Sequence, residues 1–164
     1  MLNDHVRTGT YQKAMAMNSA DFHDKVVLDV GTGTGILAFF ALQAGARMVY
    51  AIDASDSVMI AKKLATANGY DEDKIIIVKG KVEEITLPGL DELNNGYVDI
   101  IVSEPIGFLL VHERMLESYV AARDRFLNPT DGIMMPSLGS IVLAPLSDDA
   151  VYQEQLAKIE FWNK

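Results

Sequence analysis

Cysteine is absent from this 164-residue chain. That excludes disulfides, thiolate metal sites and a cysteine nucleophile, and it sits with an intracellular setting. No apolar run approaches the roughly 18 residues that span a bilayer, and the N-terminus lacks the charged-then-apolar pattern of a secretory signal. Cations are scarce, with 14 Lys and Arg against 23 Asp and Glu, for a net charge of −9. Phosphate binding needs a positive face, so this balance argues against direct nucleic-acid binding and favours basic partners. The three histidines, His5, His23 and His112, fall at no metal-ligand spacing. Internal repeats, low-complexity tracts and linkers rich in Gly, Pro and Ser are missing too.

What is present is ordinary globular material, 49% hydrophobic and 23% charged, in a length that suits one domain. Short β-branched or apolar runs at Lys25–Val30, Met48–Ile52, Lys74–Val78 and Tyr97–Ser103 read as strands, with further strand-like stretches at Ile133–Met135 and Ser140–Ala144. Helical patterns cover Asp4–Asn18, Ile36–Ala44, Ser57–Asn68 and His112–Leu127, with another short helix near the C-terminus. Ser55 or Asp56 is the expected cap of the Ser57 helix. Strands alternating with helices predict an α/β fold, a mainly parallel Rossmann-like sheet covered on both faces. Such sheets bind ligands beyond the carboxyl ends of their strands.

The first strand runs into VLDVGTGTGIL, Val27 to Leu37. Gly31, Gly33 and Gly35 follow GxGxG spacing, and a dinucleotide fingerprint would need glycine at position 36, where Ile36 stands. The loop therefore suits a ligand without a diphosphate. Asp53 ends the second strand 22 residues beyond Gly31, where an acid can accept both hydroxyls of a ribose. Asp29, just ahead of the glycines, can either orient the loop or face an ammonium group. A nucleoside cofactor lacking a diphosphate is implied, and S-adenosylmethionine fits.

Further along, SEPIGFLLVHERM sets Glu104 and Glu113 around an apolar run, where unpaired buried charge is costly. Together with VLDVGTGTGIL, YAIDAS, GKVEEI, ERMLESY and LNPTDGIMMP, in that order, this sequence resembles the protein arginine N-methyltransferase family. HVRTGTYQKAM and the SEP…ERMLESY stretch look most like its coactivator-associated, type I branch. The resemblance covers essentially the whole chain.

It implies roles residue by residue. Arg7 contacts the cofactor's carboxylate, and Gly31 and Gly33 lie under its methionine and ribose portion. Asp53 holds the ribose, although the family usually has Glu there. Val82 and Glu83 address the adenine edge, Met115 packs near the sulfur, Ser118 sits near the adenine, and Glu104 and Glu113 clamp the substrate. A guanidinium is planar, permanently charged and rich in donors, so two carboxylates can fix its plane and leave one terminal nitrogen free. Two like charges in an empty site should repel, tending to raise one pKa until substrate arrives.

The resemblance further implies arginine-rich protein substrates such as histone tails, a homodimeric parent, and a nuclear or cytoplasmic location. Residues 1–145 are expected to form the cofactor-binding domain, and 146–164 to begin the connection to a β-barrel that supplies further site parts. The chain alone is therefore expected to be catalytically impaired. The rivals are another S-adenosylmethionine-dependent methyltransferase and a non-catalytic interaction module. A base-directed enzyme would need an aromatic-bearing motif where Ser103-Glu104-Pro105-Ile106 stands.

Overall fold

The computed structural model describes residues 3–162, so Asn163 and Lys164, the end of the expected connection, lie outside the described residues. Five parallel strands form one sheet: β1 Val26–Val30, β2 Met48–Asp53, β3 Ile75–Lys79, β4 Ile100–Ser103 and β5 Ile133–Met135. Their order is β3-β2-β1-β4-β5. Parallel neighbours need crossovers, supplied here by α3 Ile36–Gln43, α4 Val58–Ala67, α5 Leu90–Asn94 and α6 Met115–Phe126. Two helices, α1 His5–Met17 and α2 Ser19–Phe22, precede the sheet, and α7 Asp149–Trp162 follows it. The α/β architecture expected from the strand–helix alternation is the one observed.

Successive side chains of a strand point to opposite faces, so a sheet covered on both sides needs apolar residues at consecutive positions. Val27, Val49, Ala51, Ile100 and Val102 pack on one face with Met15 of α1 and Phe39 and Phe40 of α3. Val26, Leu28, Tyr50, Ile52 and Ile101 pack on the other with Tyr119, Ala122 and Phe126 of α6. Tyr50 buries its ring there and donates its hydroxyl to the Pro88 carbonyl at 2.7 Å, which keeps the one polar atom of that side chain satisfied.

From β1 the chain moves outward through β2 and β3, then returns to the far side of β1 for β4. Strand order thus reverses between β1 and β4, and the crevice at such a switch point is where open α/β sheets hold ligands. Ser103 Oγ donates to the Val30 carbonyl at 2.7 Å and stitches the carboxyl ends of those two strands together.

Several local expectations are corrected. The first helix ends at its Asn18 cap as expected, and a short second helix, Ser19–Phe22, follows it where none was expected. The fourth strand starts at Ile100, because the Tyr97 N–H closes a turn onto Asn94 and Val98 pairs only with Leu127 in an isolated bridge. Ser57 stands at the N-cap position of α4 without a side-chain capping bond, and Ser55 Oγ accepts the Ser57 N–H at 3.2 Å. Helix α6 begins at Met115, since Arg114 takes a left-handed conformation at φ +57°. The Ser140–Ala144 stretch is exposed and irregular. A strand needs a ladder partner, and among the described residues nothing pairs on the far side of β5.

Candidate functional site

A cavity of about 530 Å³ opens at the carboxyl ends of β1 and β2, walled on the other side by the start of α6. Gly31, Asp53, Val82, Glu83, Glu113, Met115 and Ser118, all expected at the site, line it. Arg7, Asp29, Gly33 and Glu104 do not. Lys81, Glu84, Arg114 and Glu117, which the sequence reading did not single out, are charged residues that also line the wall.

The glycine turn is built on backbone contacts. The N–H groups of Gly31 and Thr32 both donate to the Ile52 carbonyl at 2.9 Å, which draws the turn over β2. Gly31 sits at φ +73°, and a Cβ added there would come within 2.8 Å of Met115 Cε. The positive φ strains any side chain at this position, while the contact asks only that the Met115 methyl move aside. Asp53 ties this turn to its own strand end: Oδ2 accepts from the Gly33 N–H and Oδ1 from the Ser55 N–H, each at 2.8 Å. Each oxygen keeps a second lone pair, so the shorter acid can still accept a diol.

Asp29 resolves differently from one of its two open roles. It is fully buried, and its Oδ2 accepts both the Thr32 hydroxyl at 2.7 Å and the Ala38 N–H at 3.0 Å. It braces the glycine turn from beneath and forms no part of the cavity wall. Burial raises its carboxyl from the ordinary 3.8 to about 7, against the two hydrogen bonds, with a further push from the Asp53 charge. Its Oδ1 has no hydrogen-bond partner.

The two glutamates are not an empty, mutually repelling pair. Glu104, at the end of β4, receives Arg7 Nη1 at 3.0 Å, with its side chain 17% exposed. The cation facing Glu104 is thus a guanidinium of the same chain. Asp4 fixes that arginine by capping α1: it accepts the Arg7 N–H at 2.9 Å and Nε at 3.1 Å. Four residues on, Tyr11 donates its hydroxyl to the Ser103 carbonyl at 2.9 Å, so one face of α1 grips the end of β4 twice. Burial, with help from the Glu104 charge, pushes the Tyr11 phenol up to about 12, keeping it a donor.

Glu113 is exposed on the cavity wall and lies ahead of α6, outside the first turn where the sequence had placed it. Its backbone is pressed against Gly107, where a Cβ would fall 2.7 Å from the Glu113 nitrogen. The residues between the glutamates form a tight loop, with Leu110 N–H on the Gly107 carbonyl and His112 N–H on that of Phe108.

Ser118 Oγ donates to Glu83 Oε1 at 2.6 Å, and this bond chiefly holds the Glu83 carboxyl below its ordinary range. Asp4, Tyr11, Thr32 and Arg125 carry contacts that sequence reading missed. Two spacings were available as signals: Tyr11 stands four residues after Arg7, and Arg125 seven after Ser118, each on a shared helical face.

Comparison with known proteins accords with this geometry. Residues 8–115 match the family described as ribosomal protein L11 methyltransferase (PrmA). The chain is 51% identical over 162 residues to a histone-arginine methyltransferase, CARMER, of Aedes aegypti, spanning 99% of this chain and 26% of that protein. Among solved structures, protein arginine methyltransferase 10 of Arabidopsis thaliana, in an open conformation, superposes with a TM-score of 0.75 at 44% identity, covering 82% of this chain and 36% of that one. The Trypanosoma brucei PRMT1 enzyme–prozyme heterotetramer with AdoHcy gives 0.74 at 46% identity, covering 82% and 40%. The chain therefore spans about a quarter of the curated relative's length. The match to the histone-arginine methyltransferase spans 99% of this chain and so continues over α6, past residue 115 where the PrmA match ends.

Proposed function

This chain belongs to the protein arginine methyltransferase family, and we propose that it forms the cofactor-binding domain of an enzyme that methylates arginine in proteins such as histones. Its cofactor is S-adenosylmethionine, with S-adenosylhomocysteine as product. The supporting observation is the cavity. Its volume lies within the range of small-ligand sites, and it joins a diol-accepting carboxylate, Asp53, to bare backbone at Gly31.

The cofactor brings an electrophilic methyl group on a sulfonium. In this reading Asp53 accepts the ribose hydroxyls, and Gly31 and Gly33 leave room beneath the ribose and methionine. Val82 and Glu83 meet the adenine edge, Ser118 holds Glu83, and Met115 packs near the sulfur. Arg7 offers its remaining Nη2 to the cofactor's carboxylate as a charge-assisted bond. Glu104 and Glu113 grip the substrate guanidinium from two sides, so that one terminal nitrogen stays free and aligned. Orientation supplies much of the rate, and the carboxylates offset the charge of two cations brought together. The nitrogen sheds its proton after transfer and needs no strong base.

The type I branch, a homodimeric parent, nuclear or cytoplasmic residence and a cofactor domain over residues 1–145, with 146–164 leading to a β-barrel, complete the proposal. Named relatives act on histones, and one solved neighbour is an assembly of subunits. Calorimetry with S-adenosylhomocysteine and mass spectrometry of an arginine-rich peptide test it. The full-length protein should bind the product and methylate arginine, while the 164-residue chain should bind more weakly and turn over little. Binding without transfer by the full-length protein would favour an interaction module; methyl transfer to a different acceptor would favour another methyltransferase.

A further inference from the structure

Arg125 occupies the last turn of α6, seven residues after Ser118. Seven residues are close to two helical turns, so both side chains leave one face of the helix. That face lies against residues 81–85, the turn that follows β3. Ser118 reaches Glu83, as described, and Arg125 reaches the backbone of the same turn. Its Nη2 donates to the Ile85 carbonyl at 2.8 Å, and its Nη1 donates to the Val82 carbonyl. The guanidinium carbon also stands 4.7 Å from the centre of the Phe126 ring, which restrains the side chain further.

A basic residue at a helix C-terminus ordinarily serves the carbonyls of its own last turn. Arg125 instead spends two donors on carbonyls 43 and 40 residues earlier in the chain. Between them the backbone is already folded, because the Glu84 and Ile85 N–H groups both donate to the Lys81 carbonyl. A planar fork can hold two carbonyls at once, whereas an ammonium is a single point of charge. Gly80, Lys81, Val82, Glu83 and Glu84 all line the cavity, and Arg125 itself does not.

We propose that Arg125 is a positioning residue for the base-recognising wall of the cofactor cavity, fixing the 81–85 turn so that Val82 and Glu83 meet a purine edge. The purine part rests on the cofactor reading above; the grip on the turn stands without it. Glu83 accepts from a purine amino group most strongly when ionised. Ser118 chiefly, then the residue's own backbone N–H and the Lys81 charge, and least of all Arg125, hold its carboxyl below the ordinary range.

The test uses Arg125→Met and Arg125→Lys in the full-length protein. Calorimetry is run with S-adenosylhomocysteine and with adenosine, alongside amide exchange in ligand-free protein and steady-state kinetics with an arginine peptide. Arg125→Met is expected to weaken both ligands by the same factor, about tenfold. It should raise the KM for cofactor while kcat at saturating cofactor stays unchanged. Exchange should quicken at residues 81–86 and not in β1 or β2, and Arg125→Lys should recover part of the loss. Unchanged affinities would overturn the proposal. So would a general rise in exchange with a matching loss of kcat, which marks a merely structural role. Failure of the unsubstituted protein to bind either ligand would instead sink the cofactor reading, and exchange at 81–86 would still decide the grip.

Discussion

Glu113→Gln in the full-length protein is expected to lower methyl transfer to an arginine peptide by roughly 10²–10³-fold, the loss typical of removing one preorganised charge-stabilising group. S-adenosylhomocysteine binding should stay the same. The amide keeps the side chain's size, so the backbone seat of Glu113 against Gly107 is undisturbed. The carboxylates assigned to the cofactor, Asp53 and Glu83, lie on other segments, and nearby Met115 is assigned only an apolar contact. What is lost is one charged half of the guanidinium grip. Glu104→Gln should behave differently, because Glu104 also holds Arg7 at 3.0 Å. It should cost transfer and also alter affinity for S-adenosylhomocysteine, whose carboxylate Arg7 is proposed to meet. Kinetics and calorimetry on the two variants separate the roles. Undiminished kcat/KM in Glu113→Gln would remove the clamp.

Much of this arrangement was legible in the sequence because it is local. Strands buried on both faces must be almost continuously apolar, and Met48–Ile52 and, apart from Asp29, Val26–Val30 are. The glycine turn and Asp53 sit directly at strand ends, where a parallel sheet places its ligands. The illegible parts depend on contacts between distant segments. No periodicity links Arg7 to Glu104, 97 residues apart, yet that pair changes the expected state of the clamp from two repelling acids to one paired and one exposed. The Ser140–Ala144 pattern is strand-like, but pattern cannot supply a neighbouring strand. The start of α6 was misplaced because the left-handed Arg114 breaks a run whose composition is helical on both sides.

Asp29 should make stability fall as pH rises from about 4 to about 7, and Asp29→Asn should remove that fall. A buried carboxyl with its folded value raised from 3.8 to about 7 binds its proton more tightly folded than unfolded. Between those two values the native state carries the extra proton, so raising pH favours unfolding; below and above the window this group adds no slope. At about 1.4 kcal/mol per pH unit the interval is worth roughly 4 kcal/mol, a large part of a domain's usual stability. Asn is a fair control because the Thr32 hydroxyl and the Ala38 N–H converge on one oxygen, Oδ2, which the amide carbonyl can replace. Its NH₂ then takes the place of Oδ1, which has no partner to lose. The acids whose values are lowered, Asp4, Asp56, Glu83 and Glu117, slope the opposite way and are common to both proteins, so they cancel in the difference. Urea unfolding of the two proteins at pH 4, 5.5, 7 and 8.5 gives that difference directly. The variant should gain on the parent protein up to about pH 7 and then run parallel to it. Parallel curves across the whole range would mean that the acid beneath the glycine turn is ionised from the start, and that the turn is braced by a buried charge instead of a titrating one.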